Sequence, residues 1–229
     1  MRKLVCALAS ALAMVVAVVP PASAASEKEI LSRMDAAAPG FKGMTADITR
    51  VKFTSILNDR SEEIGTMSIL RSGKSLRAKI VIEKPNARAV SFEGEQVEVF
   101  YPKINTVQVF DIGKNRGLID QFLLLGFGGS GKDLSRSYQV KSMGQEKVNG
   151  VSATRLVLTP KAAKVRESIK SVEIWVPDGE AYPIRQKFVE PSDDFTEVTY
   201  RGIKVNPGLM PAHLKLELPA GVKREYPQK

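Results

Sequence analysis

The sequence predicts a mainly β protein with a few helices: one strongly curved antiparallel sheet, with the helices against its concave face. Two observations favour this class. Apolar and polar residues alternate with a period of two along most of residues 43–218, as in strands whose two faces differ. A single apolar, glycine-flanked insert at 112–133 separates two groups of such segments. The regular alternation of strands and helices that builds parallel sheets is missing.

The N-terminal 24 residues have the pattern of a secretory signal. Two basic residues precede an apolar run, Leu4–Val19, and the small residues Ala22 and Ala24 supply a cleavage pattern. We expect cleavage after Ala24, which places the mature protein in a periplasm. The alternative is an uncleaved anchor, but the run is short for a membrane span of roughly 20 residues. Residues 25–229 are expected to form a single domain.

The charged residues, the cysteine and the histidine limit the classes of function that this chain can have. The 229-residue chain has a formal net charge of +9 at pH 7, and its acidic and basic residues are interleaved, which indicates a solvated surface. A basic patch for anionic lipid headgroups is the alternative, and nucleic-acid binding is disfavoured. The one cysteine, Cys6, lies in the signal, and the one histidine, His213, precedes the last predicted strand. We therefore expect no disulfide, no metal site and no cofactor.

An N-terminal helix and a series of strands account for most of the remaining chain. Ser26 and Glu29 form a capping box, Ile30 and Met34 share one apolar stripe, and Pro39-Gly40 ends the helix. Asn149-Gly150 predicts the clearest hairpin turn, because both positions tolerate positive φ. The predicted strands occupy 65–70, 76–83, 97–101, 107–109, 138–147, 151–159, 171–176, 184–190, 195–203 and 214–218.

The insert carries a motif similar to a nucleotide-binding loop. Leucine and phenylalanine dominate residues 118–127, which we expect to form a helical segment followed by a glycine hinge and a second short helix at 132–137. Residues 126–132 read GFGGSGK, but a phosphate loop has Ser or Thr after the lysine, where this chain has Asp133. A preceding strand is also missing, so nucleotide binding is disfavoured.

The sequence offers no convincing catalytic group. The carboxylate pairs Glu62-Glu63 and Asp193-Asp194 are adjacent in the chain rather than placed around a substrate. A Ser-His-Asp triad would have to use His213, which we expect at the surface. The protein is therefore predicted not to be an enzyme.

Three stretches of the chain resemble the periplasmic lipoprotein carriers of the LolA family. In the first, 68–110, Glu93-Gly94 is followed by VEVFYP at 97–102 and TVQV at 106–109. The second is LVLTPK at 156–161, and the third is LELPAGV at 216–222. Their order and spacing make the resemblance more specific than any one stretch alone.

The resemblance implies an incomplete, unclosed β-barrel with a helical lid over an apolar cavity. It implies a monomeric carrier that binds acyl chains of lipoproteins, or another amphiphilic lipid, and shuttles them from the inner to the outer membrane. Its partners would be an inner-membrane ABC lipoprotein exporter and an outer-membrane acceptor, with no cofactor or metal. Family members carry an arginine that helps to hold the lid, and Arg71 is its nearest positional match.

The strand pattern, combined with this resemblance, predicts which side chains face the cavity. Each strand contributes the alternate apolar positions that share one face. From the lid, Leu118, Phe122 and Leu125 are predicted to face this wall. The predicted wall consists of Met67, Ile69, Leu76, Ile80, Ile82, Val97, Val99, Val107, Val109, Leu156, Leu158 and Ile174.

A periplasmic regulator of the same fold is the alternative function. It would sense lipid or a mis-sorted lipoprotein and signal through a protein partner. The resemblance implies a further C-terminal domain in most such relatives, whereas residues 219–229 leave room only for a tail. The carrier is therefore the preferred hypothesis.

Overall fold

A computed structural model describes residues 25–73 and 75–228, so the predicted signal at 1–24 lies outside the described residues. Within these ranges the chain forms twelve strands. They are β1 (Gly43–Thr54), β2 (Asp59–Ser72), β3 (Ser75–Lys84), β4 (Arg88–Glu93), β5 (Gln96–Tyr101), β6 (Thr106–Asp111), β7 (Tyr138–Val148), β8 (Val151–Pro160), β9 (Ser171–Pro177), β10 (Arg185–Val189), β11 (Phe195–Val205) and β12 (Lys223–Glu225).

All the described strands belong to one sheet, in the order β12-β6-β5-β4-β3-β2-β1-β11-β10-β9-β8-β7. Two antiparallel meanders, β1 to β6 and β7 to β11, are joined where β1 pairs with β11 from Met44↔Val205 to Phe53↔Phe195. Only the short β12 runs parallel to its neighbour, β6. The sheet curves but stays open between β12 and β7, which confirms the predicted unclosed barrel.

Helices occupy the chain before and between the two meanders, and one short helix lies within the second meander. The helices of the described residues are α1 (Glu27–Ala37), α2 (Arg116–Leu123), α3 (Gly131–Ser137) and α4 (Ala163–Arg166), with short 3-10 turns at Ala38–Gly40, Ser55–Leu57, Pro102–Ile104, Gly113–Asn115 and Pro211–Leu214. Over the residues described, we find no helix with the length and apolar character that a membrane span requires.

The helix start at Ser26 and the turn at Asn149-Gly150 have the structures that the local sequence predicted. The Ser26 hydroxyl accepts from the Glu29 amide at 3.3 Å, and the Glu29 carboxylate accepts from the Ser26 amide at 2.7 Å, so the capping box starts α1 as predicted. This second hydrogen bond lowers the pKa of Glu29. Asn149 and Gly150, at φ +50° and +83°, make the tight turn between β7 and β8.

The concave, inner face of the sheet is the face that bears Met67 and Ile69. The strand register places two groups of apolar side chains on it, one on each side of the β1–β11 seam. The first inner cluster contains Phe41, Met44, Ala46, Ile48, Met67, Ile69, Leu76, Ala78, Ile82, Phe127 and Tyr200. The second inner cluster contains Ile30, Met34, Leu125, Leu134, Tyr138, Leu156, Leu158, Val172, Ile174 and Val176.

The C-terminal segment crosses the opposite, outer face of the first meander. The Ser91 hydroxyl of β4 donates to the Leu214 carbonyl at 2.8 Å, and Arg224 pairs with Glu98 of β5 at 2.7 Å. The predicted strand at 214–218 was wrong: Leu214 ends a 3-10 turn, residues 215–218 join no ladder, and the pairing with β6 comes later, in β12. Alternation shows which residues could share a face but not which of them find a ladder partner, so it could not identify the paired residues.

An ion-pair group ties three strands together at the end of the inner face nearest the Ser55–Leu57 turn. The Glu63 carboxylate of β2 lies 2.8 Å from Arg50 of β1 and 2.8 Å from Arg88 of β4. Partial burial by itself raises the pKa of Glu63, but the hydrogen bonds from Arg88 and Arg50 outweigh it and lower the pKa below its ordinary value.

We predict that this group stabilises the fold at neutral pH and stops doing so in acid. Because the folded pKa of Glu63 is lowered, its contribution is present above the unfolded value of about 4.5 and is lost as pH falls through the folded pKa. In urea unfolding, Glu63→Gln should cost about 1 kcal/mol at pH 7, and the difference from wild type should shrink below pH 4.5. Glu62→Gln, at the exposed neighbouring position, is the matched control. A difference that is the same at both pH values would contradict the prediction.

Candidate functional site

A lid formed by residues 116–137, comprising α2, the connecting loop and α3, covers much of the inner face. Its most deeply buried side chains are Leu125 and Phe127, which are 2% and 1% exposed. Leu125 packs into the second inner cluster and Phe127 into the first, so the loop spans the seam between them. The Phe127 ring meets Tyr200 edge-on, with the centroids 5.0 Å apart. Apolar contact therefore attaches the lid loop to the sheet on both sides of the seam.

The three predicted lid residues have different positions. Leu125 lies in the core of the lid contact, and Phe122 is partly buried and meets Phe188 of β10 edge-on at 5.9 Å. Leu118 belongs to α2, but its side chain lies outside the described residues. Phe127 was missed as a lid anchor, although its place at the end of the apolar run was a usable signal.

The glycine-rich sequence builds the lid loop. Gly126 and Gly128 have φ of +76° and +78°, and a Cβ at Gly128 would lie 2.4 Å from the ring of Phe41. The segment follows helix α2 rather than a strand, and Ser130 caps α3 by accepting from the Asp133 amide at 3.0 Å. Glycine is needed here for a left-handed turn against an aromatic ring, which accounts for the motif without a phosphate.

Arg71, the predicted lid-holding residue, contacts the lid loop. It lies near the end of β2, on the same side of the strand as Met67 and Ile69, and is partly exposed. Its guanidinium donates to the Gly128 carbonyl at 3.0 Å. The contact joins a residue at the rim of the sheet to the left-handed turn of the lid.

Another polar contact, to the lid loop, lies in the interior and was not predicted. Gln186 of β10 is 3% exposed, and its side-chain amide donates to the Leu125 carbonyl just beyond α2. The Tyr200 hydroxyl of β11 donates to the other end of that amide, Oε1, at 2.6 Å. Burial raises the pKa of Tyr200, so its hydroxyl keeps the proton that it donates. The sequence feature that could have indicated this contact is a polar residue, Gln186, at an inward position between the apolar residues Ile184 and Phe188.

The register places ten of the twelve predicted wall residues on the inner face. On the first meander, the ladder pairs Met67↔Ile80, Ile80↔Val90 and Val90↔Val99 follow one row across the sheet. On the second meander, Leu156↔Ile174 and Leu158↔Val172 share that face. The ten residues are Met67, Ile69, Leu76, Ile80, Ile82, Val97, Val99, Leu156, Leu158 and Ile174.

Val107 and Val109 lie on the outer face instead, so placing them in the wall was wrong. In the β5–β6 ladder, Val107 is opposite Phe100 and Val109 is opposite Glu98, whereas the inward-facing Val97 is opposite Phe110. The turn at Pro102–Asn105 sets this register, and a difference of one residue moves every side chain to the other face. Both valines are nevertheless buried, and the C-terminal segment covers this side of the sheet.

The apolar surface extends beyond the lid in two places. Ile80, Val90 and Val99 form a partly exposed row on the inner face of the first meander. Beside β11 and the turn between β7 and β8, an open groove of about 680 Å³ is lined by residues that include Tyr182, Ile184 and Val205. Among the described residues, no cluster of three or more His, Cys, Asp and Glu side chains is placed to hold a metal ion.

These features define a class of protein: an open, curved sheet whose apolar concave face is closed by a short helical lid. The family model "Outer membrane lipoprotein carrier protein LolA" matches residues 40–216. The chain therefore belongs to the LolA family, as the three sequence stretches indicated. It has no match among curated protein sequences.

One solved structure shows the same fold at low sequence identity, and two others are less similar. An uncharacterized conserved protein from Thermus thermophilus is 13% identical with a TM-score of 0.53, over 87% of this chain and 98% of that one. The lipoprotein LppX from Mycobacterium tuberculosis is 16% identical with a TM-score of 0.49, over 81% and 99%. A chain of the MucA/MucB complex from Pseudomonas aeruginosa is 13% identical with a TM-score of 0.45, over 84% and 62%.

We predict that the close contact between α1 and α3 supports the lid. A Cβ at Gly131 would lie 2.2 Å from the Leu31 carbonyl oxygen of α1, so Gly131→Ala should separate the helices and cost about 1–3 kcal/mol of unfolding free energy. Gly117→Ala in α2 is the control, because no atom lies within 4 Å of the added Cβ. That variant should be neutral or more stable by up to about 1 kcal/mol. Equal unfolding midpoints for the two variants would refute the prediction.

Proposed function

We propose that this protein is a periplasmic carrier that binds acyl chains of lipoproteins, or another amphiphilic lipid, and shuttles them from the inner to the outer membrane. The observation that carries the proposal is the apolar inner face, closed by a lid that is attached through Leu125, Phe127 and polar contacts that include those of Arg71 and Gln186. Membership of a family named for lipoprotein carriers supports it. Its action is non-covalent binding rather than catalysis.

The energetics of acyl chains suit this arrangement. Burying one methylene group contributes roughly 0.8 kcal/mol, so one long chain contributes on the order of 10 kcal/mol. A lipoprotein therefore cannot cross water with its chains exposed. A carrier must also release its cargo, and a lid whose own apolar residues occupy the same surface limits the net gain. Cargo and lid would exchange on the inner face, the chains replacing contacts such as those of Phe127 with Tyr200.

Transport requires loading and delivery. We propose that an inner-membrane ABC lipoprotein exporter loads this protein and that an outer-membrane acceptor receives the cargo, with the carrier acting as a monomer. The signal at residues 1–24, cleaved after Ala24, would deliver it to the periplasm. The partly exposed row of Ile80, Val90 and Val99 offers the chains a first apolar contact while the lid is still closed.

Native mass spectrometry of protein purified from its own periplasm, with lipid extraction, tests the proposal. Co-purified triacylated lipoprotein or phospholipid would support a carrier and identify its cargo. Transfer of that cargo to acceptor membranes separates a carrier from the lipid-sensing regulator, which would bind lipid without delivering it. Protein that is empty and also fails to take up a fluorescent acyl probe would overturn the proposal.

We predict that Arg71→Glu loosens the lid. A carboxylate cannot donate to the Gly128 carbonyl, so lid opening costs less and the closed lid competes less with cargo. The affinity for a fluorescent acyl probe should rise by about five- to tenfold, and release to acceptor vesicles should slow. Arg60→Glu, at an exposed position earlier in β2, controls for the charge change. Transfer at the wild-type rate in Arg71→Glu would remove the lid-holding role from Arg71.

A further inference from the structure

The contact between Gln186 and the lid is buried away from water, whereas the contact between Arg71 and the lid lies at the rim. Arg71 is partly exposed, so water can replace the Gly128 carbonyl when the lid opens. Gln186 lies on the inner face, directly opposite Ile174 on one side and Val198 on the other. A donor in such apolar surroundings needs an acceptor supplied by the protein or by the ligand.

Tyr200 fixes the direction of the Gln186 amide. Its hydroxyl occupies Oε1 at 2.6 Å, so the Nε2 donor is the end that points at the lid. Gln186 and Tyr200 lie on the paired strands β10 and β11, and the ladder between these strands involves no residue of the lid. Opening of the lid would therefore leave an oriented N–H group at the site that the Leu125 carbonyl occupies.

We propose that Gln186 is a specificity-determining residue that donates a hydrogen bond to the carbonyl of an acyl chain. This inference rests on the proposed lipid-binding function. An ester- or amide-linked acyl chain brings a carbonyl acceptor that replaces the Leu125 carbonyl, whereas an ether-linked alkyl chain of the same length leaves the amide without that acceptor. The inner face thus selects acyl chains over alkyl chains, in addition to burying their methylene groups.

The test compares two ligands that differ in this carbonyl. The ligands are 1-hexadecanoyl lysophosphocholine and its 1-O-hexadecyl ether analogue, each competing with a fluorescent acyl probe for the mature protein. Wild type should prefer the ester by about fivefold, the discrimination expected from one neutral hydrogen bond. Gln186→Met keeps the size of the side chain but removes the donor, and its preference should fall to about one.

Two further variants separate recognition from structure. Thr154→Val changes another fully buried polar side chain on the inner face, in β8, and should keep the wild-type preference. Tyr200→Phe removes the hydroxyl that orients the amide and should reduce the preference without abolishing binding. If Gln186→Met proves too unstable to measure, the Tyr200→Phe result decides, because a preference unchanged from wild type would overturn the proposal.

The outcomes distinguish this inference from the function on which it rests. If wild type binds neither ligand, the proposed lipid-binding function fails and the inference fails with it. Wild type could bind both ligands equally, or Gln186→Met could change the affinities for the ester and the ether by the same factor. Either result would mean that Gln186 only holds the lid, and it would overturn this inference but not the proposed function. A preference that Gln186→Met abolishes and Thr154→Val preserves would support it.

Discussion

The packing of the lid loop against the concave face of the sheet is the contact on which the rest of the structure depends. The open sheet leaves its inner apolar face without a second sheet to cover it, and an exposed apolar surface of that size is unfavourable in water. Leu125 and Phe127 cover it by packing into the two inner clusters. In the proposed function, this cover would be exchanged for the acyl chains of the cargo while the sheet stays folded.

Two of the polar contacts to the lid come from different environments. Arg71 and Gln186 donate to the carbonyl groups of Gly128 and Leu125, backbone acceptors within one short loop. One donor is at the rim and the other is in the interior, so solvent can satisfy only the first when the loop moves. Both donors add directional contacts to the apolar packing of the lid, which by itself is non-directional.

Close backbone approaches explain why glycine recurs around the lid. Gly128 lies against the ring of Phe41, and Gly131 lies against the backbone of Leu31, at distances that leave no room for a side chain. In the sequence these positions produced a pattern similar to a phosphate-binding loop. The physical requirement of such a loop and of this lid is the same, a left-handed turn and a close approach, and the element that precedes the turn and the residue after Lys132 distinguish them.

The sequence by itself determined the features that depend on neighbouring residues: the capping box of Ser26, the turn at Asn149-Gly150, the alternation of the strands and the apolar character of the insert. Tertiary structure decided what depends on distant ones. The β5–β6 register turned Val107 and Val109 outward, and the C-terminal segment lies across the outer face instead of forming a strand at 214–218. The pairing of Gln186 with Leu125 joins residues 61 positions apart. Local propensities act over a few residues, whereas these contacts exist only once the sheet has curved and the lid has closed over it.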